Sequence, residues 1–219
     1  MEGYIAKTSS AKATWIIIGI NLLIGFMTIM LQYTNPRAFN WIILHFGSVP
    51  AYTILGKEPY RLVTSMFLHG GFVHLLLNMF ALFIFGPDVE RVLGRIKYLI
   101  LYFGSGLAAD YVYAYFVWSF FPYKQVLLAP SIGASGAIFG VMAAFGVLFP
   151  FRRVMIFIGF PIIAPAIAAI FIMAALQFLY ALFTPFSQVA YAAHVGGFLA
   201  GLILALIYKP FLRRITFEL

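Results

Sequence analysis

The segment Ser131 to Gly140 reads SIGASGAIFG and places one hydroxyl, Ser135, between glycines in an otherwise apolar chain. A serine so placed is a candidate nucleophile. Gly133 and Gly136 let backbone come close to whatever Ser135 attacks, and the apolar run Ala137 to Phe149 behind it predicts a helix. Ser135 then stands at a helix N-terminus, where unpaired N–H groups and the positive end of the helix dipole favour the negative charge of an attacked carbonyl oxygen. Glycine and serine also mark tight helix packing in membranes, so the motif Gly-x-Ser-Gly says little alone.

Further polar residues lie inside apolar runs: His69, His74, Asn78, Asp110 and His194. A polar group inside a membrane span is costly enough to count as a functional hypothesis by default. His74 and Asn78 are four apart and share one helix face, which suits either a pair bonded to neighbouring helices or two ligands of a metal. His69 and His74 are five apart, so no face carries two histidines, and no metal is expected. The stretch Ala193 to Gly201 sets Gly197 and Gly201 four apart, on the side that His194 approximately faces; Gly136 and Gly140 repeat that spacing beside Ser135. Such small-residue faces let two helix backbones approach closely, which would bring Ser135 within hydrogen-bond reach of His194. Glycine packing alone leaves unexplained why a histidine accompanies one face and a serine the other.

The elements that must position these residues are membrane helices. Of 219 residues, 64% are hydrophobic and only 9% charged, with a mean hydropathy of +1.02, far from the make-up of a soluble domain. The formal net charge is +8, but the basic residues flank apolar runs, so they read as a topology signal and no nucleic-acid partner is expected. The chain has no cysteine, which excludes disulfides, thiolate catalysis and Cys-ligated zinc. The first apolar run, Trp15 to Leu31, is long enough to span and lacks a cleavage signature, so it reads as a retained helix.

The punctuation predicts six spanning helices in a single domain over 1–219, at about 13–32, 62–85, 98–120, 135–149, 154–183 and 190–208. Asn35-Pro36 ends the first and Gly86-Pro87 the second. The connection Tyr33 to Arg61 is too long for a turn, and its part Ala38 to Phe46 suits the interface. Val154 to Tyr208 holds no Asp, Glu, Lys or Arg and is too long for one span; Thr184 to Gln188 divides it. With both termini inside, the inner segments carry 10 Lys and Arg against 4 outside, which is the preferred orientation. At about 1.5 Å per residue, Ser135 and His194 then lie roughly 26 and 22 Å from the inner edge, in the outer half of a core about 30 Å thick.

Taken together these residues resemble the rhomboid intramembrane serine proteases: Tyr60-Arg61 in the first loop where the family often has Trp-Arg, His69, His74, Asn78, Glu90, Gly-Ala-Ser-Gly at 133–136, and Ala-His-x-x-Gly-x-x-x-Gly at 193–201. The resemblance implies an all-α bundle of six transmembrane helices. It also implies an endopeptidase that cuts transmembrane-helix substrates in or near their spans, without a cofactor, in a prokaryotic plasma membrane. Ser135 is then the nucleophile and His194 its general base, while His74, Asn78 and the Ser135 N–H bind the oxyanion. The fifth helix and the loop Thr184 to Ala192 become gate and cap, with Gly159, Pro161 and Pro165 easing the bend of the helix. Phe139 replaces a tyrosine often found there, and its ring can still pack on His194. Asp110 has no counterpart in a Ser-His dyad; it either orients His194, bonds a neighbouring helix or faces a wet cavity. The other readings are an inactive relative that binds membrane clients and a small transporter using the same polar cluster. Both Ser135 and His194 are present, which disfavours the first, and paired broken helices are lacking, which disfavours the second.

Overall fold

The computed structural model describes residues 2–4, 10–121, 124–157, 160–184, 190–212 and 214–216. It is mostly helical. In chain order the helices are α1 (Lys12–Thr34), α2 (Pro36–Phe46), α3 (Pro50–Ile54), α4 (Arg61–Thr64), α5 (Phe72–Leu93), α6 (Arg95–Phe120), α7 (Lys124–Leu128), α8 (Ser135–Leu148), α9 (Ala166–Phe183) and α10 (Tyr191–Tyr208). Two antiparallel strand pairs complete it: β1 (Glu2–Tyr4) with β4 (Arg214–Thr216), and β2 (Arg153–Phe157) with β3 (Pro161–Pro165). Among the described residues four helices are long and apolar enough to cross a membrane: α1, α5, α9 and the stretch Tyr191–Phe211 that contains α10. The other two large helices differ for physical reasons. α6 carries Arg95, Lys97 and Asp110. α8 has 14 residues, about 21 Å at the helical rise, short of a 30 Å core.

α8 is almost wholly enclosed by other helices. All of its residues are buried except Ser135 and Phe139, with α10, α6, α5 and α9 packed around it. The closest approach is to α10: a Cβ on Gly197 would overlap the Gly136 carbonyl, and one on Gly201 would overlap the backbone of Gly140. On the α6 side, Ser105 and Ala109 fill the space beside Gly140 and Gly136, so that side chain larger than hydrogen cannot enter there either. The two glycine faces read from the sequence do meet.

Two helix expectations need correction. The second helix, expected over 62–85 and ending at Gly86-Pro87, begins only at Phe72 and runs through Pro87 to Leu93. Residues 61–67 form α4 and a 3-10 turn, and Gly70-Gly71 separates them from α5. Past Pro87 the helix continues because Val89, Glu90, Val92 and Leu93 are buried, and this packing outweighs one missing N–H. Gly94, at φ 79°, ends it in a conformation that side chains rarely take. The fifth helix, expected over 154–183, starts at Ala166; before it lies the β2–β3 hairpin, with Arg153 opposite Pro165 and Phe157 opposite Pro161. β-branched residues favour strands, and Pro161 and Pro165 sit at strand ends, where a missing N–H costs least. The prolines therefore shape a hairpin, not a bend in a helix, and Gly159 lies outside the described residues.

The buried carboxylate of Glu90 ties the last turn of α5 to the first turn of α1. It accepts from the N–H of Ala13 (2.9 Å), the N–H of Thr14 (2.7 Å) and the hydroxyl of Thr14 (2.7 Å). A helix N-terminus has orphan donors and positive partial charge, so a fully buried anion is satisfied there without a cation.

Glu90→Ala is expected to cost roughly 2–5 kcal/mol, since it leaves buried donors unmet and a cavity behind. Glu90→Gln, which keeps one acceptor, should lose less in the same thermal melt in detergent. Gly201→Ala should lower the melting point through overpacking of about 1–3 kcal/mol, because the atom it meets is backbone. Gly19→Ala is the control: a Cβ there meets nothing within 4 Å, and the melt should not fall.

Candidate active site

Ser135 opens α8, and the segment before it is braced by the long connection after α1. Ser48 and Ser131 exchange backbone hydrogen bonds of 2.9 and 2.7 Å, and the Gly133 N–H donates to the Ser65 carbonyl at 2.9 Å. Arg61, itself buried, holds that connection in shape. Its Nε donates to Glu58 at 2.5 Å, and Nη1 donates to the carbonyls of Leu44 (2.6 Å) and Gly47 (3.1 Å), with the guanidinium over the rings of Tyr52 and Tyr60. The bond from Arg61 keeps the exposed Glu58 carboxyl below its usual range. Thr64 adds a hydroxyl bond of 2.7 Å to the Phe46 carbonyl.

Gly133 has φ +128°, and a Cβ there would lie 2.8 and 2.9 Å from Cε1 and Nε2 of His74. The glycine is what lets the His74 ring reach the turn that presents Ser135. His74 packs edge-on against His69, which is fully buried beside Gly25 of α1. Asn78 lies one turn along α5, buried, and donates from Nδ2 to the His74 carbonyl at 2.9 Å.

His194 is buried in the first turn of α10, and all of its ring is held. Nε2 lies 2.8 Å from Ser135 Oγ, and Nδ1 lies 2.6 Å from Gln177 Oε1. Phe139 stacks on one face at 4.5 Å between centroids and 11° between planes, as expected for the ring that stands where the family often has tyrosine. Tyr191 meets the ring edge-on at 6.2 Å. Asp110 is elsewhere: it faces the buried hydroxyls of Ser48 and Ser65 under the long connection, while the nitrogen it would need on His194 is taken by Gln177.

Of the residues singled out in the sequence, Ser135 and His194 are directly bonded, and His74 adjoins the Ser135 turn. Asn78 shares the face of His74. His69 supports His74 from behind. Gln177 is the residue that the sequence reading passes over. It is an uncharged amide, so a search for ionisable groups misses it, yet it is a polar side chain inside an apolar span and could have been found on that ground. Among the described residues no group of three His, Asp or Glu side chains is placed to hold a metal ion. A hydroxyl bonded to a histidine whose other nitrogen has an acceptor is the arrangement that general-base activation of serine requires.

The match to known proteins is consistent with this geometry. A family model described as the Rhomboid domain covers residues 56–211. The mitochondrial Rhomboid protein 1 of Saccharomyces cerevisiae is 33% identical over 202 residues, which are 90% of this chain and 53% of the yeast protein. Rhomboid protease GluP of Bacillus subtilis is 32% identical over 143 residues, 65% of this chain and 26% of its own. Inactive rhomboid protein 1 of Rattus norvegicus is 30% identical over 161 residues, 73% of this chain and 17% of its own. The chain thus spans about half the length, or less, of these relatives. Mitochondrial proteins are among them, so the expectation of a prokaryotic plasma membrane gains no support. With most of its length matched, and with four helices apolar and long enough to cross a bilayer, the chain is an integral membrane protein that belongs to the rhomboid family.

Proposed function

We propose that the chain is an intramembrane serine endopeptidase that cleaves transmembrane-helix proteins with a dyad of Ser135 and His194. The observation that carries this reading is the 2.8 Å bond between Ser135 Oγ and His194 Nε2 inside an apolar helix bundle. Oγ attacks the scissile carbonyl carbon as its proton passes to Nε2, forming a C–O bond and an oxyanion. The Ser135 N–H at the start of α8, His74 and Asn78 supply donors for that oxygen. As the C–N bond breaks, Nε2 gives its proton to the departing amine. A water then attacks the acyl carbon, losing a proton to Nε2, and Oγ recovers it as the acid leaves.

The same reading treats the chain as one domain of six crossings, N-terminus and C-terminus inside, with α6 and the lipid-shielded α8 as the two crossings that length and hydropathy do not reveal. Pairing of β1 with β4 supports it, since ends that meet on one side require an even number of crossings. Ser135 then lies in the outer half of the bilayer, where water has access. α9 buries only Ala166, Ala169, Ile170 and Ala181, which suits a helix that moves aside for a substrate. Residues 185–189 of the expected cap lie outside the described residues.

An inactive relative is the competing reading, and cleavage of a tagged single-span substrate in proteoliposomes separates the two. Ser135→Ala and His194→Ala should each abolish cleavage with an unchanged melt, and the double variant should lose little more than either. Cleavage that survives Ser135→Ala, or losses that add, would contradict the dyad. Asp110→Asn should change the rate by less than about tenfold, far from the roughly 10⁴-fold loss when a triad acid is neutralised. A fall of three decades at constant stability would make Asp110 part of the machinery.

A further inference from the structure

We propose that Gln177 is a positioning residue for His194, fixing which ring nitrogen carries the proton and tying that choice to the seat of α9. This rests on the dyad proposed above. The Gln177 Oε1 atom can only accept, so at 2.6 Å it requires the proton on Nδ1 and leaves the Nε2 lone pair facing Ser135 Oγ at 2.8 Å. The other tautomer would direct an N–H at the serine and could not take its proton. Phe139 and Tyr191 fix the plane of the ring but offer no hydrogen bond to choose between the nitrogens. The carboxylates on every packed element are accounted for: Asp110 of α6 faces Ser48 and Ser65, Glu90 of α5 caps α1, Asp88 of α5 pairs with Arg91 and Arg152, and α8, α9 and α10 carry no Asp or Glu. The acceptor role therefore falls to a neutral amide. When Nε2 takes the serine proton, the Nδ1–H remains on Oε1, and the imidazolium keeps its orientation.

Gln177 belongs to α9, the least buried of the helices long enough to span. The base of α9 is anchored: Ala166 and Ile167 donate to the carbonyls of Arg152 and Pro150, next to the hairpin. Beyond Ile170, only Ala181 of this helix is buried. The bond from Gln177 to His194 is thus a polar tie in the outer half of α9, and outward movement of the helix takes the acceptor away from the imidazole. In this account an unseated α9 leaves His194 without its tautomer lock, and full base strength returns when α9 or the substrate backbone supplies an acceptor again.

The test uses the full chain in lipid nanodiscs, with ¹⁵N-histidine, and Gln177→Met as a near-isosteric change that deletes the acceptor. His194 is assigned by loss of its signals in His194→Ala. In the Ser135→Ala background, which cannot cleave, His194 should be an Nδ1–H tautomer with Gln177 and a mixture with Gln177→Met. In the active background Gln177→Met should lower kcat by roughly 10–100-fold with little change in KM, as for other residues that orient an imidazole. Gln177→Glu, which restores an acceptor, should recover the Nδ1–H signature and most of the rate, and Gln177→Leu replaces Gln177→Met as the acceptor deletion if the latter fails to fold. An unchanged tautomer in Gln177→Met overturns the proposal, as does a lost rate that Gln177→Glu does not restore. The tautomer is read in protein that cannot cleave, so its outcome is separate from whether the dyad reading holds.

Discussion

The structure depends on how closely the backbones of α8 and α10 approach. Serine and histidine side chains are short, so a hydrogen bond between them requires their two helices to be nearly in contact. Gly136 and Gly140 against Gly197 and Gly201 permit that, since a single Cβ at Gly197 or Gly201 would strike main chain. In a bilayer no hydrophobic force drives helices together, because lipid is as apolar as leucine, and close packing of small residues is what remains. Ser105 and Ala109 extend this from the side of α6. The central helix of this contact, α8, is short and enclosed by other helices.

Buried polar groups elsewhere in the bundle are paired or grouped. Glu90 caps α1, Arg61 is surrounded by Glu58, two carbonyls and two rings, and Asp110 sits by two hydroxyls. The bonds of Glu90 and Arg61 spare buried charges and helix-end N–H groups from standing alone in a medium that cannot solvate them. Arg61 shapes the long connection to which the turn before Ser135 is hydrogen-bonded. Packing is uneven: α6, α8 and α10 form a packed frame, whereas α9 leans on it through few buried side chains. On the proposed reading, a catalytic pair on the frame with a loosely seated neighbour reconciles a fixed geometry with entry of a transmembrane-helix substrate.

Much of this was legible from residue types. Glycines spaced by four on two segments, one beside a serine and the other beside a histidine, foretold both the helix contact and the bond across it. The glycine and hydroxyl of the turn foretold where α8 begins. Less legible were features set by tertiary packing. Gly86-Pro87 looks like a stop, yet the burial of Val89, Glu90 and Val92 carries α5 past it. The uncharged run from Val154 holds more residues than one span needs, and hydropathy cannot say that the surplus folds as a hairpin, because strand and helix interiors are equally apolar. Gln177 was visible as a polar side chain inside an apolar run, but its partner was not: the contact with His194 exists because α9 lies over α10, a relation between segments that no local pattern encodes. Glu90 was visible as part of the family resemblance, but its bond to α1 belongs to the fold.

The central claim is that Ser135 is a nucleophile because His194 activates it. The most direct measurement is reaction of the folded protein with a fluorophosphonate, followed by mass spectrometry of the modified peptide. The account predicts one adduct, on Ser135, whose rate of formation collapses in His194→Ala while the melt is unchanged. Absence of an adduct in folded wild-type protein, or equal labelling with and without His194, would contradict it.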